Sequence, residues 1–161
     1  MQLVKDLEQW QRLRSELDKA VGFVPTMGAL HEGHLSLLRR SVAENELTVL
    51  SIFVNATQFN NQADLQSYPT SIEDDLKLAQ SVGVDLVLMP DYVQMFPDNF
   101  RFQMHEEAFS QDLCGSDRSG HFTGVLTVVL KLLNLVQPVK AYFGLKDYQQ
   151  YLLIKDMCAG L

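Results

Sequence analysis

One stretch, residues 21–40, constrains the fold more than any other part of the chain, because its hydrophobic pattern changes there from strand to helix. The apolar residues at 21–24 predict the end of a buried strand that stops at Pro25. Leu35 and Leu38 then recur at helical spacing. The segment TMGALHEGH is therefore a corner between strand and helix. A helix that begins there directs backbone N–H groups and a positive dipole end above the strand, which favours an anion or a phosphate.

Two glycines and two histidines shape this corner. Gly28 and Gly33 remove Cβ atoms where a flat or bulky ligand would need to approach the backbone. His31 and His34 are three residues apart, so they share one face of a helical first turn. A zinc protease has its histidines four apart, which disfavours metal ligation, whereas two polar residues that only cap a helix remain an alternative. Neither a Walker loop nor a dinucleotide fingerprint occurs in the sequence.

Length and charge exclude several classes of protein. With 161 residues, of which 47% are hydrophobic, the chain is most simply one domain with a full core. Lysine and arginine number 13 against 20 acidic residues, so the net charge of −7 disfavours nucleic acids and anionic membranes as partners. The two cysteines, with no visible signal peptide and no apolar span of about 18 residues, predict a cytoplasmic protein without a membrane segment.

Helical and strand patterns alternate along the chain. The predicted helices lie at 2–19, 32–44, 71–82, 124–136 and 145–157, and the predicted strands at 20–24, 47–54, 84–90 and 139–143. Ser71 and Asp74 have the spacing of a capping box at the start of the third helix. Between 91 and 120 the pattern weakens, and we expect an excursion with a short strand at FRFQMH and a loop at CGSDRSG. The polar segment 55–62 is expected to be a loop.

This alternation predicts an α/β fold, a doubly wound parallel sheet. Ligands of such sheets bind beyond the carboxyl ends of the strands. Three polar segments follow predicted strands, namely TMGALHEGH, NATQF and GLKDYQQ. We therefore expect these segments to meet at one edge of the sheet.

Several side chains in and near these segments could carry chemistry. Lys146 would supply a mobile positive charge for phosphates, and the amides of Gln58 and Gln150 could hold a small hydroxy acid. Asp74 and Asp75 could hold Mg²⁺. The alternatives are solvated surface residues and, for the two aspartates, acidic residues that complement a helix dipole.

The motif PTMGALHEGH resembles the HIGH-type signature of adenylate-forming nucleotidyltransferases, and in particular that of the pantothenate synthetase (pantoate:beta-alanine ligase) family. SIFVNATQF, SGHFTGVLTVVLKLLNLVQP and YFGLKDYQQ resemble further blocks of that family in the same order. The likeness implies a Rossmann-like, HIGH-type nucleotidyltransferase domain over residues 1–161, corresponding to the N-terminal half that binds ATP and pantoate. It also implies ATP-dependent condensation of pantoate with beta-alanine through a pantoyl-adenylate, with Mg²⁺, in a homodimer.

The resemblance assigns roles to residues of this sequence. It makes His34 catalytic, and the physical reasoning adds His31 and Lys146 to the catalytic residues. The resemblance also places pantoate on Gln58, Gln150 and Asn55, with beta-alanine also at Gln58. ATP would lie along Met27, Gly28, Ala29, Leu30, His31, Glu32, Gly33, His34, Gly144, Leu145, Lys146 and Asp147. The family's conventional role for His34 is that of a proton donor, whereas the physical argument favours stabilisation of phosphate charge by His34, assisted by His31.

The sequence departs from the family pattern in some loops and at its end. The loop has NATQF where N-P-x-Q-F is usual, and Ser119 replaces a proline. Relatives continue into a smaller C-terminal domain preceded by an S-S-R-N loop, and this chain stops at Leu161. We therefore expect a truncated chain that binds substrates but turns over poorly. Another HIGH-type nucleotidyltransferase and a non-catalytic dimerisation module, with the 124–136 helix as interface, remain alternatives.

Overall fold

The computed structural model describes residues 1–118 and 120–161. Its centre is a sheet of five parallel strands in the order β1-β4-β3-β2-β5. The strands are β1 (Gln2–Val4), β2 (Val21–Thr26), β3 (Leu47–Ile52), β4 (Leu86–Leu88) and β5 (Lys140–Ala141). The predicted α/β class and parallel sheet are thus confirmed.

Helices connect the strands and cover both faces of the sheet. The longer helices are α1 (Leu7–Glu16), α2 (Glu32–Glu44), α4 (Ile72–Ser81), α7 (His121–Val136) and α8 (Tyr148–Gly160). The short ones are α3 (Gln62–Gln66), α5 (Tyr92–Met95) and α6 (Cys114–Asp117), with 3₁₀ turns at Ala56–Gln58, Phe109–Gln111 and Leu145–Asp147. Within the described part of the chain, no helix has both the length and the apolarity to cross a membrane.

Successive strand residues point to opposite faces, so the core has two halves. Phe23 and Val49 join a cluster that includes Trp10 of α1 and much of α7 and α8. Val24 and Leu50 join a second cluster, which includes residues of α2 and α4. Strands covered on both faces are expected to be almost continuously apolar, and this explains the sequence of β2 and β3.

The predicted helix at 2–19 is wrong in its first third. Gln2–Val4 forms an edge strand paired with Leu86–Leu88, and the helix begins only at Leu7 after Asp6, whose side chain accepts a hydrogen bond from Gln9 N (2.7 Å). Leu3 happens to continue the helical spacing of the leucines that follow. A strand of three residues is too short to show alternation, and its pairing depends on a partner more than 80 residues away.

Other local predictions also need correction. Ser71 makes no side-chain hydrogen bond at the start of α4, so no capping box forms with Asp74. FRFQMH is irregular rather than a strand, and its backbone is held by side chains, as when Met104 N donates to Thr127 Oγ1 (2.8 Å). The loop expected at CGSDRSG contains the helical turn α6, and Ser119 lies outside the described residues. The segment 55–62, expected to be a loop throughout, contains a 3₁₀ turn at Ala56–Gln58.

Strand order determines where a ligand could lie. The chain moves from β2 through β3 to β4 on one side, and then returns to place β5 on the other side of β2. The crevice above β2 is therefore the switch point of the sheet, where ligands of open α/β folds bind. The segments that follow β2, β3 and β5 are the three that the sequence predicted to converge.

Candidate active site

A cavity of about 430 Å³ lies beyond the carboxyl ends of β2, β3 and β5. The segment after β2 contributes His31 and His34, the segment after β3 contributes Gln58, and the segment after β5 contributes Lys146. The expected convergence is therefore confirmed. Apolar side chains of α7 form part of the lining, so the polar groups of the three segments face a partly apolar hollow of a size that suits a small-molecule ligand.

The two histidines cap helix α2 reciprocally. His31 is the N-cap, and its Nδ1 accepts a hydrogen bond from Gly33 N (3.1 Å), while His34 Nδ1 accepts one from His31 N (3.3 Å). The rings lie 4.0 Å apart between centroids. Because both Nδ1 atoms accept, the proton of each neutral ring is on Nε2. Both histidines thus cap the helix, and the capping leaves two imidazole N–H donors at the cavity.

The backbone of the corner is less available to an anion than the sequence analysis predicted. Gly28 N donates to Thr26 Oγ1 (3.2 Å), and both Ala29 N (2.9 Å) and Leu30 N (2.6 Å) donate to the carboxylate of Asp75. The N–H groups of His31 and Gly33 also donate, to the imidazoles of His34 and His31. Most backbone donors of this segment therefore have acceptors inside the protein. Side chains, rather than this backbone, are therefore the main donors that the segment can offer to a phosphate.

The two glycines of the motif are required by close contacts within the protein. A Cβ on Gly28, where φ is +84°, would lie 2.9 Å from Asp75 Oδ2, and a Cβ on Gly33 would lie 2.8 Å from Cε1 of the His31 ring. Both distances are shorter than real Cβ contacts allow. The glycines therefore make room for a carboxylate and an imidazole of this chain, which is a different reason from the ligand approach that the sequence suggested.

Gln58 is held by a buried hydrogen-bond network. Asn55, only 1% exposed, donates from Nδ2 to Gln58 Oε1 (3.0 Å) and to the carbonyl of Gly124 (3.1 Å), while its Oδ1 accepts from Thr57 (2.8 Å). Because Gln58 Oε1 is engaged, the part of the amide left for a ligand is the NH₂ group. Asn55 thus orients Gln58.

Two residues support the site in ways that the sequence did not predict. His121 Nδ1 donates to the carbonyl of Gln58 (2.9 Å) from the first turn of α7, and Asp75 holds the corner after β2. His121 is the first residue of an apolar helix and follows a glycine, a position that could have suggested a buried polar contact. The role of Asp75 depends on a contact across 46 residues and leaves no local signal.

The remaining predicted site residues divide into two groups. Those that line the cavity besides the ones above are Met27, Gly33, Asn55, Gly144, Asp147 and Gln150. The others lie outside it: Gly28, Ala29 and Leu30 in the corner, Glu32, which pairs with Arg39, and Leu145, which is 66% exposed. Lys146 forms no ion pair with any other described residue, so its charge is available to a ligand.

The two aspartates predicted to hold Mg²⁺ do not form a joint site. Asp75 is 2% exposed and both its oxygens accept backbone N–H groups, whereas the side chain of Asp74 is 72% exposed and pairs with Lys77 (3.2 Å). Over residues 1–118 and 120–161, no group of three or more His, Cys, Asp or Glu side chains could hold a metal ion. These carboxylates therefore do not fit a magnesium site built from the protein alone.

Burial changes the protonation of two histidines. Burial lowers the pKa of His34, assisted by the nearby His31, while the carboxylates of Asp75 and Asp147 oppose this and Lys146 reinforces it. Burial also lowers the pKa of His121, partly offset by its hydrogen bond to Gln58. Both rings are therefore neutral at pH 7, as the hydrogen-bond geometry of His34 requires.

We expect the free energy of unfolding to decrease as the pH is lowered from 7.5 to 5.5. The unfolded chain binds protons at His34 and His121 near their ordinary pKa of about 6.5, whereas the folded chain resists protonation until lower pH. The pKa of Glu44, lowered to about 2 by Arg40 and Tyr142, puts its folded-state titration well below this window. Urea unfolding midpoints at pH 7.5 and pH 5.5 measure this decrease in stability. In His121→Gln the decrease should be smaller. An unchanged pH dependence in that variant would contradict the assignment.

Together, the parallel sheet, the histidine-capped corner and the three converging segments define a HIGH-type nucleotidyltransferase domain. A sequence model of the family described as Pantoate-beta-alanine ligase matches residues 1–161. The chain therefore belongs to the pantoate-beta-alanine ligase family.

Relatives of known structure and sequence agree with this assignment. The pantothenate synthetases of Pseudothermotoga lettingae and Legionella pneumophila are 49% and 48% identical to this chain over its full length. The matched region covers 58% and 65% of those two proteins, respectively. The solved structure of a pantoate-beta-alanine ligase from Francisella tularensis, complexed with beta-gamma ATP and beta-alanine, superimposes with a TM-score of 0.97 at 41% identity, covering 99% of this chain and 62% of that one. The chain thus spans less than two thirds of the length of these relatives.

Proposed function

We propose that this chain binds ATP and pantoate in the cavity beyond β2, β3 and β5, and takes part in the ATP-dependent condensation of pantoate with beta-alanine to give pantothenate. The observation that carries the proposal is the single cavity that joins His34, Gln58, Lys146 and Gln150. Membership of the pantoate-beta-alanine ligase family supports it, and so does the relative from Francisella tularensis that was solved with an ATP compound and beta-alanine.

The proposed chemistry has two steps. A carboxylate oxygen of pantoate attacks the α-phosphorus of ATP, which forms the pantoyl-adenylate and breaks the bond to pyrophosphate. The amine of beta-alanine then attacks the acyl carbon, an amide bond forms, and AMP leaves with the carboxylate oxygen. The protein must hold two anions close together and stabilise the negative charge that grows on phosphate oxygens.

Three side chains are suited to the phosphates. His31 and His34 would donate from Nε2, since their Nδ1 atoms are engaged by the helix cap. Lys146 would add a mobile positive charge from the 3₁₀ turn after β5. In this arrangement His34 acts as a neutral hydrogen-bond donor to the α-phosphate rather than as an imidazolium that gives up a proton.

The two glutamines are suited to pantoate. The NH₂ group of Gln58 would donate to its carboxylate or hydroxyl oxygens, and Gln150 would contact it from the start of α8 on another side of the cavity. Asn55 would act through Gln58, and beta-alanine would approach near Gln58. The valine and leucine side chains of α7 in the lining offer a surface to the apolar carbon skeleton of a small acid.

Some features implied by the family stay predictions for this chain. We propose no protein ligand for Mg²⁺, because the two aspartates predicted for it do not form a site. A homodimer, a cytoplasmic location and slow turnover by residues 1–161 alone are three such predictions. A pyrophosphate-release assay on the 161-residue chain checks the last of these.

Calorimetric titration separates this proposal from its alternatives. The chain should bind both ATP and pantoate, whereas another HIGH-type nucleotidyltransferase would bind the nucleotide alone and a non-catalytic module would bind neither. A nicotinamide nucleotide serves as a comparison ligand. Gln58→Leu should weaken pantoate binding about 10- to 100-fold, since a hydrogen bond to a charged group is worth ~1.5–3 kcal/mol, and should leave ATP binding nearly unchanged. Gln80→Leu, an exposed glutamine of α4, is the matched control.

A further inference from the structure

The carboxylate of Asp75 occupies the place of an anion at the corner after β2. Two consecutive N–H groups, those of Ala29 and Leu30, point to its two oxygens at 2.9 Å and 2.6 Å. Consecutive backbone N–H groups that converge in this way form a concavity for anions, which in nucleotide-binding folds often receives a phosphate. Here it is filled by a side chain from α4 that is 2% exposed.

The corner depends on this contact because its backbone is unusual. Gly28 and Ala29 both have positive φ, +84° and +51°, and an alanine adopts the left-handed region only at an energetic cost. The space for the carboxylate is also specific, since a Cβ on Gly28 would lie 2.9 Å from Asp75 Oδ2. The surrounding structure must therefore hold the corner in place, and Asp75 supplies two hydrogen bonds for this purpose.

The corner in turn determines where the imidazoles lie. Leu30 immediately precedes His31, whose backbone and ring both take part in the reciprocal cap with His34. A shift of the Ala29–Leu30 peptide would therefore move both rings, and with them the two Nε2–H donors at the cavity. Asp75 itself lies outside the lining of this cavity.

We propose that Asp75 is a positioning residue for the nucleotide, because it fixes the corner that orients His31 and His34 and keeps phosphate away from the N–H groups of Ala29 and Leu30. The triphosphate is thereby directed to imidazole and ammonium side chains rather than to the backbone of the corner. The part of this inference that concerns the nucleotide rests on the proposed function. The hydrogen bonds to the corner can be tested without any ligand.

The test compares Asp75→Asn with Asp74→Asn in the 161-residue chain. The two aspartates are adjacent in α4, but Asp74 is exposed and contacts Lys77, so the second variant removes the same charge without touching the corner. NMR measures hydrogen exchange and proton shifts of the Ala29 and Leu30 amides. We expect both amides to be protected and shifted downfield in the wild type and in Asp74→Asn. In Asp75→Asn at least one of them should exchange about tenfold faster or more, since an amide side chain offers one acceptor oxygen in place of two.

Ligand titrations then test the positioning role. Asp75→Asn should weaken ATP binding about tenfold or more, because displaced imidazoles lose hydrogen bonds to the charged phosphates. Pantoate binding, which uses the segments after β3 and β5, should change less than twofold. A general loss of fold would weaken the binding of both ligands. A loss of ATP affinity without a matching loss of pantoate affinity is therefore a result that a purely structural role would not produce.

The hydrogen bonds to Asp75, its positioning role and the proposed function are each contradicted by a different result. Unprotected Ala29 and Leu30 amides in the wild type would refute the hydrogen bonds to Asp75, and this measurement needs no variant to fold. Wild-type ATP affinity in an Asp75→Asn chain with exposed amides would refute the positioning role. A wild-type chain that binds neither ATP nor pantoate would contradict the proposed function, while the amide result would still decide whether Asp75 holds the corner.

Discussion

Replacing His34 by alanine is expected to lower the single-turnover rate of pantoate-dependent pyrophosphate release about 10²- to 10³-fold, the usual cost of losing one hydrogen-bond donor to a developing oxyanion. His34 lines the cavity, and because its Nδ1 accepts a backbone N–H, its neutral ring carries the proton on Nε2. The variant also loses half of the helix cap, at a cost of about 1 kcal/mol in stability. His34→Gln separates the two effects, because glutamine at this position can still accept the N–H of the N-cap residue.

The control and the pH profile make this prediction specific. His105→Ala removes an exposed histidine that does not line the cavity, and it should leave the rate unchanged. His34 Nδ1 accepts a backbone N–H group, so protonation of His34 breaks the cap. Because burial lowers the pKa of His34, the rate should fall only at pH values below the ordinary histidine pKa of about 6.5. A proton-donating imidazolium would give a rate that rises over the same range. That rise, or a wild-type rate in His34→Ala, would contradict the neutral-donor role.

Replacing Gly124 by alanine should destabilise the chain by about 1–3 kcal/mol, the usual cost of overpacking a filled core. A Cβ at this position of α7 would lie 2.5 Å from the carbonyl oxygen of Thr57 and 2.8 Å from Cα of Gln58. Both contacts are with backbone, so the 3₁₀ turn must move to relieve them. The same turn carries Gln58, and the carbonyl of Gly124 accepts a hydrogen bond from Asn55. Pantoate affinity should therefore fall at least tenfold along with stability.

Overpacking and helix propensity predict opposite changes in the stability of Gly124→Ala. Alanine is a better helix former than glycine by about 1 kcal/mol, so helix propensity alone predicts a gain in stability at position 124. Gly160→Ala is the matched control, because a Cβ there meets nothing within 4 Å. Urea unfolding and pantoate titration measure both variants. A Gly124→Ala chain as stable as the wild type would show that the turn can move freely, which would contradict its role as a fixed support for Gln58.

The sequence predicted those features that depend on continuous patterns. The apolar runs of β2 and β3, the 32–44 helix and the convergence of His34, Gln58 and Lys146 all follow from hydrophobic period and parallel topology. The three-residue strand β1 was missed because its leucine continues a helical spacing and its partner is distant in sequence.

The misses within the site have a common physical cause. Asp75 was predicted to hold a metal and instead accepts two backbone N–H groups from a segment 45 and 46 residues away. His121 was given no role, and it supports the Gln58 carbonyl across 63 residues. Pairings of this kind depend on tertiary packing, which hydrophobic period does not encode. The histidine cap was predicted only in part. The spacing of His31 and His34 places both rings on one helix face, but it does not reveal the hydrogen bonds that fix their tautomer.

The position of β5 has a consequence for when the proposed ligands could bind. Lys146 and Gln150 follow this short strand, which joins β2 only after well over 100 residues have intervened. A ribosome-bound polypeptide that has emerged only as far as β4 lacks one wall of the hollow. Recognition therefore has to wait for completion of the sheet, and a bound nucleotide would report on, and protect, the fully assembled domain rather than its early parts.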